Sequence, residues 1–182
     1  MSHDKKIILI GNGPSVLDHK NGSKIDSFDI VVRFNNFKIE NYEEYVGKKT
    51  NYWFTWSDFH EKHNFDIDRI YFHSWTKNKE KDKNYIKMQN KYPNIRIVQC
   101  EVLPEIRLEV PEYPHNSFST GLIATHLMLK EHQKIYICGF DWWQKRERHH
   151  YSDDAQAGTL HHPKLEYQYF KKFIDLDKIS LL

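Results

Sequence analysis

The sequence predicts a single α/β domain over residues 1–182, built on a mostly parallel central sheet. Three observations carry this expectation. Short apolar runs recur along the chain and close in glycine or asparagine, as buried parallel strands do. Segments with apolar residues at helical spacing lie between them. No internal repeat, low-complexity tract or linker divides the 182 residues, a length sufficient for one real core.

Taken in order, Ile7–Ile10 reads as a buried strand closed by the glycine turn GNGPS at 11–15, with a helix expected next. Residues 28–34 (FDIVVRF) repeat the pattern and end in Asn35-Asn36. Residues 51–56 (NYWFTW) and 69–73 (RIYFH) are aromatic-rich strand candidates. Residues 79–91 are polar and lysine-rich, suited to an exposed helix, and 95–100 form a strand after the Pro93-Asn94 turn. Three prolines in 101–116 predict a loop or lid. Residues 117–131 read as a helix with Leu122, Thr125, His126 and Leu129 on one stripe. A strand at 134–139 follows and delivers Phe140-Asp141-Trp142 at its end. Residues 144–160 form a polar loop containing histidine and glycine. A last helix at 163–174 has Pro163 in its first turn, and 179–182 make a last strand.

Composition removes some functions. Lys and Arg total 27 against 25 Asp and Glu, a formal charge of +2. That balance excludes a protein living on nucleic-acid phosphates, which needs a concentrated basic surface. The N-terminal MSHDKKIILIGNG has too short an apolar run for a signal-peptide core. No stretch approaches the roughly 20 apolar residues of a membrane span. Cys100 and Cys138 are therefore read as reduced thiols and the chain as cytoplasmic.

Four segments can carry chemistry. In the 11–15 turn, Gly11 and Gly13 let backbone N–H groups approach a phosphate, and Asn12 is not required by a turn; an ordinary tight turn reads the same residues as well. At 33–37 (RFNNF), Asn35 can read a ribose or base edge and Arg33 can pair with a carboxylate or phosphate, or the asparagines simply turn the chain. In NSFSTG at 116–121, Ser119, Thr120 and Gly121 open a helix and suit an anion, or supply a plain N-cap. The residues His149-His150-Tyr151-Ser152-Asp153-Asp154, followed by His161, His162 and Glu166, offer imidazoles to take a proton and a tyrosine to stabilise a departing phosphate. A zinc site and a solvated histidine loop are the alternatives, although HExxH and cysteine-ligand spacings are lacking.

The ordered set is more specific than any member: GNGPS at 11–15, RFNNF at 33–37, SFSTG at 117–121, GFDWW at 139–143, HHYSD at 149–153 and His161 to Glu166. Together these resemble the sialyltransferases, both the bacterial lipooligosaccharide enzymes and the animal Golgi enzymes, over roughly residues 6 to 174. The GNGPS turn and STG helix look bacterial, whereas HHYSD and the His-to-Glu spacing resemble animal motifs. The resemblance implies a Rossmann-like fold of the GT-A-like glycosyltransferase variant. It also implies an inverting displacement from a CMP-sugar donor to a glycan or lipooligosaccharide acceptor, with no metal or other cofactor. By position, Gly11, Asn12, Gly13 and Asn35 resemble residues contacting the CMP portion. Ser119, Thr120 and Gly121 resemble the segment holding the nucleotide and the sugar carboxylate, and Asp141 joins the donor site. Tyr151 and His150 resemble residues near the phosphate. His161 resembles the catalytic base, with His162 its rival by a one-residue shift. The bacterial enzymes usually continue into a basic, membrane-associating tail, so peripheral membrane association through such a segment is also implied. The animal enzymes' disulfide has no counterpart, because Cys138 lacks a partner near the first strand. A binding module without catalysis and a metal-dependent hydrolase are the competing classes, separable by donor turnover and by survival of activity in EDTA.

Overall fold

The computed structural model describes residues 5–57, 66–74, 82–114, 118–142, 150–152 and 161–182. The expectations placed on His149, Asp153, Asp154, Asn116, Ser117 and most of the 144–160 loop fall outside these residues. Within them lie seven strands: β1 (Ile7–Ile10), β2 (Ile30–Phe34), β3 (Tyr52–Thr55), β4 (Arg69–Phe72), β5 (Arg96–Gln99), β6 (Ile135–Cys138) and β7 (Ile179–Leu181). They form one sheet in the order β5-β4-β3-β2-β1-β6-β7, and every pairing is parallel. The chain winds outward from β1 to β5, then returns to the other side of β1 for β6 and β7. Adjacent strands β1 and β6 thus feed connections running in opposite directions, and the crevice beyond their carboxyl ends is where open α/β sheets bind ligands.

Helices α1 (Gly22–Asp26), α2 (Glu43–Val46), α3 (Lys83–Lys91), α4 (Leu103–Glu109), α5 (Thr120–Glu131) and α6 (Pro163–Asp175) cover both faces. Strand side chains alternate, so Ile7, Leu9, Val32 and Ile137 pack with Ile106, Leu122 and Phe170 of α4, α5 and α6. On the opposite face Ile8, Ile10, Val31 and Trp53 pack with Ile25, Val46 and Met88 of α1, α2 and α3. Burial on both faces explains why β1 reads as a continuous apolar run rather than an alternating one.

Two expectations are corrected. Residues 101–116 are not wholly loop, because they contain α4. Pro104 occupies the first turn, where a missing N–H costs nothing, and Pro111 lies beyond the last turn, so the prolines bracket a helix instead of preventing one. The helix expected after GNGPS begins as a 3-10 turn over Pro14–Leu17 and is followed by the short α1. Two other helix starts follow sequence chemistry. Asp82 caps α3 by accepting from Asn84 N (2.9 Å) and Tyr85 N (3.2 Å); Ser119 caps α5 through Leu122 N at 3.1 Å.

Candidate active site

A cavity of about 160 Å³ opens above the β1–β6 crossing. Its floor is backbone. Gly11 N donates to Cys138 O at 2.7 Å and Gly13 N to Gly139 O at 2.9 Å, stitching the end of β1 to the end of β6. The approach is too close for side chains: a Cβ on Gly11 would lie 2.2 Å from Gly139 O, and Gly139 itself has φ +72°. Asp141 locks the turn by accepting from Ser15 N at 3.0 Å and from the Ser15 hydroxyl. Asn12 spans the gap to β2, its Nδ2 donating to Phe34 O at 3.2 Å. Its Oδ1 is buried and has no hydrogen-bond partner among the described residues, the kind of acceptor a ligand donor satisfies.

One wall is the start of α5. The Thr120 hydroxyl lies 3.0 Å from Asn35 Nδ2 and 3.0 Å from Nε2 of buried His73, so β2, β4 and α5 meet at one oxygen. Burial holds the His73 imidazole down near 4, with His161 adding to the effect. Ser119 is held from α6: its N–H donates to Glu166 Oε1 at 3.0 Å and its hydroxyl to Oε2 at 2.6 Å. Glu166, also buried, accepts as well from the Tyr113 hydroxyl at 2.8 Å. Three donors compensate the burial of this carboxyl group. They also mean that the Ser119 hydroxyl is engaged by Glu166, although Ser119, Thr120 and Gly121 all line the cavity.

His161 lines the cavity beside Glu166, with His150, Trp56, Phe140 and Trp142 completing the rim. His162 is not in the lining; its ring stands edge-on to Tyr113 at 5.0 Å and its N–H donates to the Tyr113 hydroxyl at 3.0 Å. His162, immediately before Pro163, has φ −116° and ψ 80°, outside the helical region that a residue preceding proline avoids, and the two neighbours have different surroundings. Gly11, Asn12, Gly13, Asn35, Ser119, Thr120, Gly121, Asp141, His150 and His161 are therefore together at one site. Tyr151 is not: it is buried on the other face of the floor, its hydroxyl donating to Lys38 O and accepting from Lys38 N. Arg33 is turned away from the cavity altogether. Its guanidinium binds the carbonyls of Val46, Gly47 and Lys49, and burial lowers it to about 10. It fastens the α2–β3 connection instead of a ligand. Glu166 is bound to Ser119 and Tyr113 rather than to an imidazole.

Sequence reasoning gave no site role to His73, Trp56, Tyr113 or Trp142. The first two follow β4 and β3 at the carboxyl edge, a place that could have marked them. Trp142 has a φ of +47°, which nothing in its sequence announces. Tyr113 lay within the supposed loop. Cys100 and Cys138 form no disulfide and are buried in cores on opposite faces of the sheet; burial and Asp141 push the Cys138 thiol up to about 11.

Residues 2–178 match the model of glycosyltransferase family 29 (sialyltransferase). The chain belongs to that family. It is 26% identical over 212 residues to the lactosylceramide alpha-2,3-sialyltransferase of Rattus norvegicus, covering 94% of this chain and 55% of that protein. It is 40% identical over 48 residues to the type 2 lactosamine alpha-2,3-sialyltransferase of Homo sapiens, covering 26% of this chain and 14% of that one. The chain thus spans about half or less of these curated relatives. The crystal structure of a mammalian sialyltransferase superposes with a TM-score of 0.75 at 19% identity, over 98% of this chain and 69% of that one. A second, in complex with Gal-beta-1-3GalNAc-ortho-nitrophenol, gives 0.74 at 18%. The α/β architecture is that of these enzymes, a GT-A-like variant of the Rossmann-like sheet.

Proposed function

We propose that this member of the family transfers sialic acid from CMP-sialic acid to a hydroxyl of a glycan acceptor, with His161 as general base and no metal ion. One observation carries the reading: a glycine-built turn, a helix start and an imidazole line the same cavity at the sheet's crossing point. The CMP portion lies over the Gly11 and Gly13 backbone, where Cβ atoms would not fit, with Asn12 and Asn35 reading its polar edges. The start of α5 at Thr120 and Gly121 favours the donor's carboxylate, through the N–H groups and partial positive charge of a helix N-terminus. His161 removes the proton from the acceptor hydroxyl as its oxygen attacks the anomeric carbon. The bond from that carbon to the phosphate oxygen breaks, its electron pair leaves with CMP, and configuration inverts. Tyr151 takes no step here, because its hydroxyl is engaged with Lys38. The unbridged cysteines support a reducing, cytoplasmic setting, in which a lipooligosaccharide is the fitting acceptor and a membrane surface the fitting partner.

The test is a thermal-shift screen of CMP-sialic acid, CMP-Kdo and UDP-sugars in EDTA, followed by turnover on lactose-type acceptors. Stabilisation by CMP compounds and metal-free transfer are expected. Silence toward millimolar CMP beside clear binding of a UDP-sugar with manganese would overturn the donor assignment. Activity abolished by EDTA and restored by zinc would favour a metal-dependent hydrolase.

A further inference from the structure

We infer that Tyr113 is the positioning residue for the base, acting through a hydroxyl that ties the His161–His162 segment to the opening of α5. The inference rests on the proposed role of His161. Helix α6 starts without a side-chain cap from His162, although the first N–H groups of any helix lack partners within it. Glu166 lies in the first turn but does not reach back to the His162 N–H, as a capping carboxylate would. It turns instead to Ser119, the cap of α5. The Tyr113 hydroxyl fills the gap: it donates to Glu166 Oε1 at 2.8 Å and accepts from His162 N at 3.0 Å. One oxygen thus relays the capping bond across a tertiary contact and fixes the backbone immediately after His161.

The relay is held rigidly. Tyr113 is 1% exposed. Its ring lies 4.6 Å from that of Phe118, and its carbonyl accepts from Arg107 of α4. Burial and the adjacent Glu166 hold the phenol well above its usual titration range, so it keeps the proton it donates. Its donor and acceptor roles are both used, and phenylalanine can supply neither while keeping the ring packing. Misplacing a catalytic group by about 1 Å can cost ~100-fold in rate, so a hydroxyl that never touches substrate can govern turnover.

The experiment is a double-mutant cycle of Tyr113→Phe and His161→Ala, reading kcat, KM for donor and CMP affinity. Tyr113→Phe should lower kcat by about 10-fold or more, with donor KM and CMP affinity changed less than about 3-fold, the pattern of an interaction realised only in the transition state. In the His161→Ala background it should cost less than about 2-fold, because the base it positions is gone. A full additional loss in that background would overturn the inference while leaving His161 as base; so would unchanged kcat in Tyr113→Phe alone. Unchanged turnover in His161→Ala would overturn both. Amide hydrogen exchange in the wild-type protein gives a reading independent of how the variants fold. Protection of the His162 amide supports the relay, and exchange at the rate of an open loop overturns it.

Discussion

The floor and the wall of the cavity are built on different principles. The floor is backbone against backbone: Gly11 and Gly13 against Gly139, at the ends of two adjacent interior strands of the sheet. The wall is side chain against side chain: Ser119, Tyr113, Glu166 and His162 come from three segments and meet only because α4, α5 and α6 share one face of the sheet. A floor of this kind tolerates no added atom, whereas a wall of this kind tolerates change in shape but not loss of a partner. In the proposed function the first holds the donor phosphate at contact distance and the second aims the proton acceptor.

Substitution of the floor glycines tests this difference most severely. Gly139→Ala adds a Cβ 2.7 Å from Gly11 O at a left-handed backbone position, and Gly11→Ala meets Gly139 O at 2.2 Å. Each should cost about 3 kcal/mol or more in urea denaturation, from overpacking together with backbone strain at Gly139. Near-wild-type stability in either would mean the floor is softer than its geometry implies. In the wall, Glu166→Ala strands three donors, and a loss of about 3 kcal/mol is expected from their burial without partners. Turnover should fall even where the protein remains folded, since the openings of both α5 and α6 are released. A stable, fully active Glu166→Ala would break the picture of the wall as a satisfied network.

The contrast also explains what was legible in the sequence. The strands, the two long helices and the floor residues could be read because each is local: an apolar run, a glycine turn, a serine N-cap. Helix α4 was hidden because proline count was weighed without proline position. Arg33 was taken for a ligand group because its strand-end position says nothing about which side of the chain its side chain takes. The Tyr113–Glu166–Ser119 cluster joins residues as far as 53 positions apart, and no periodicity reports contacts of that span. His161 and His162 were ordered by resemblance, and the structure separates their environments.

His73 probes the wall more gently. An imidazole held near 4 when folded against 6.5 when unfolded binds fewer protons in the native state throughout that interval. Stability is therefore fully present above pH 6.5 and declines as pH falls toward 4, by up to about 3 kcal/mol. In His73→Gln this part of the pH dependence should flatten; an unchanged profile would show that other groups control acid stability. The smallest effect on folding belongs to Asn12→Ala. With one 3.2 Å bond to lose, stability should drop by no more than about 1 kcal/mol, while CMP binding by calorimetry weakens by about 1–3 kcal/mol because a buried partner is removed. Equal losses in both would make Asn12 a purely structural bridge.

The most direct measurement compares His161→Ala with His162→Ala in transfer from CMP-sialic acid to a lactose-type acceptor, with CMP affinity followed in parallel. General-base catalysis typically contributes about 10²–10⁴-fold, so His161→Ala should lower kcat by roughly 100-fold or more with CMP affinity nearly unchanged. His162→Ala, whose ring packs on Tyr113 outside the cavity, should do far less. A larger loss in His162→Ala, or full turnover in both variants, would contradict the account.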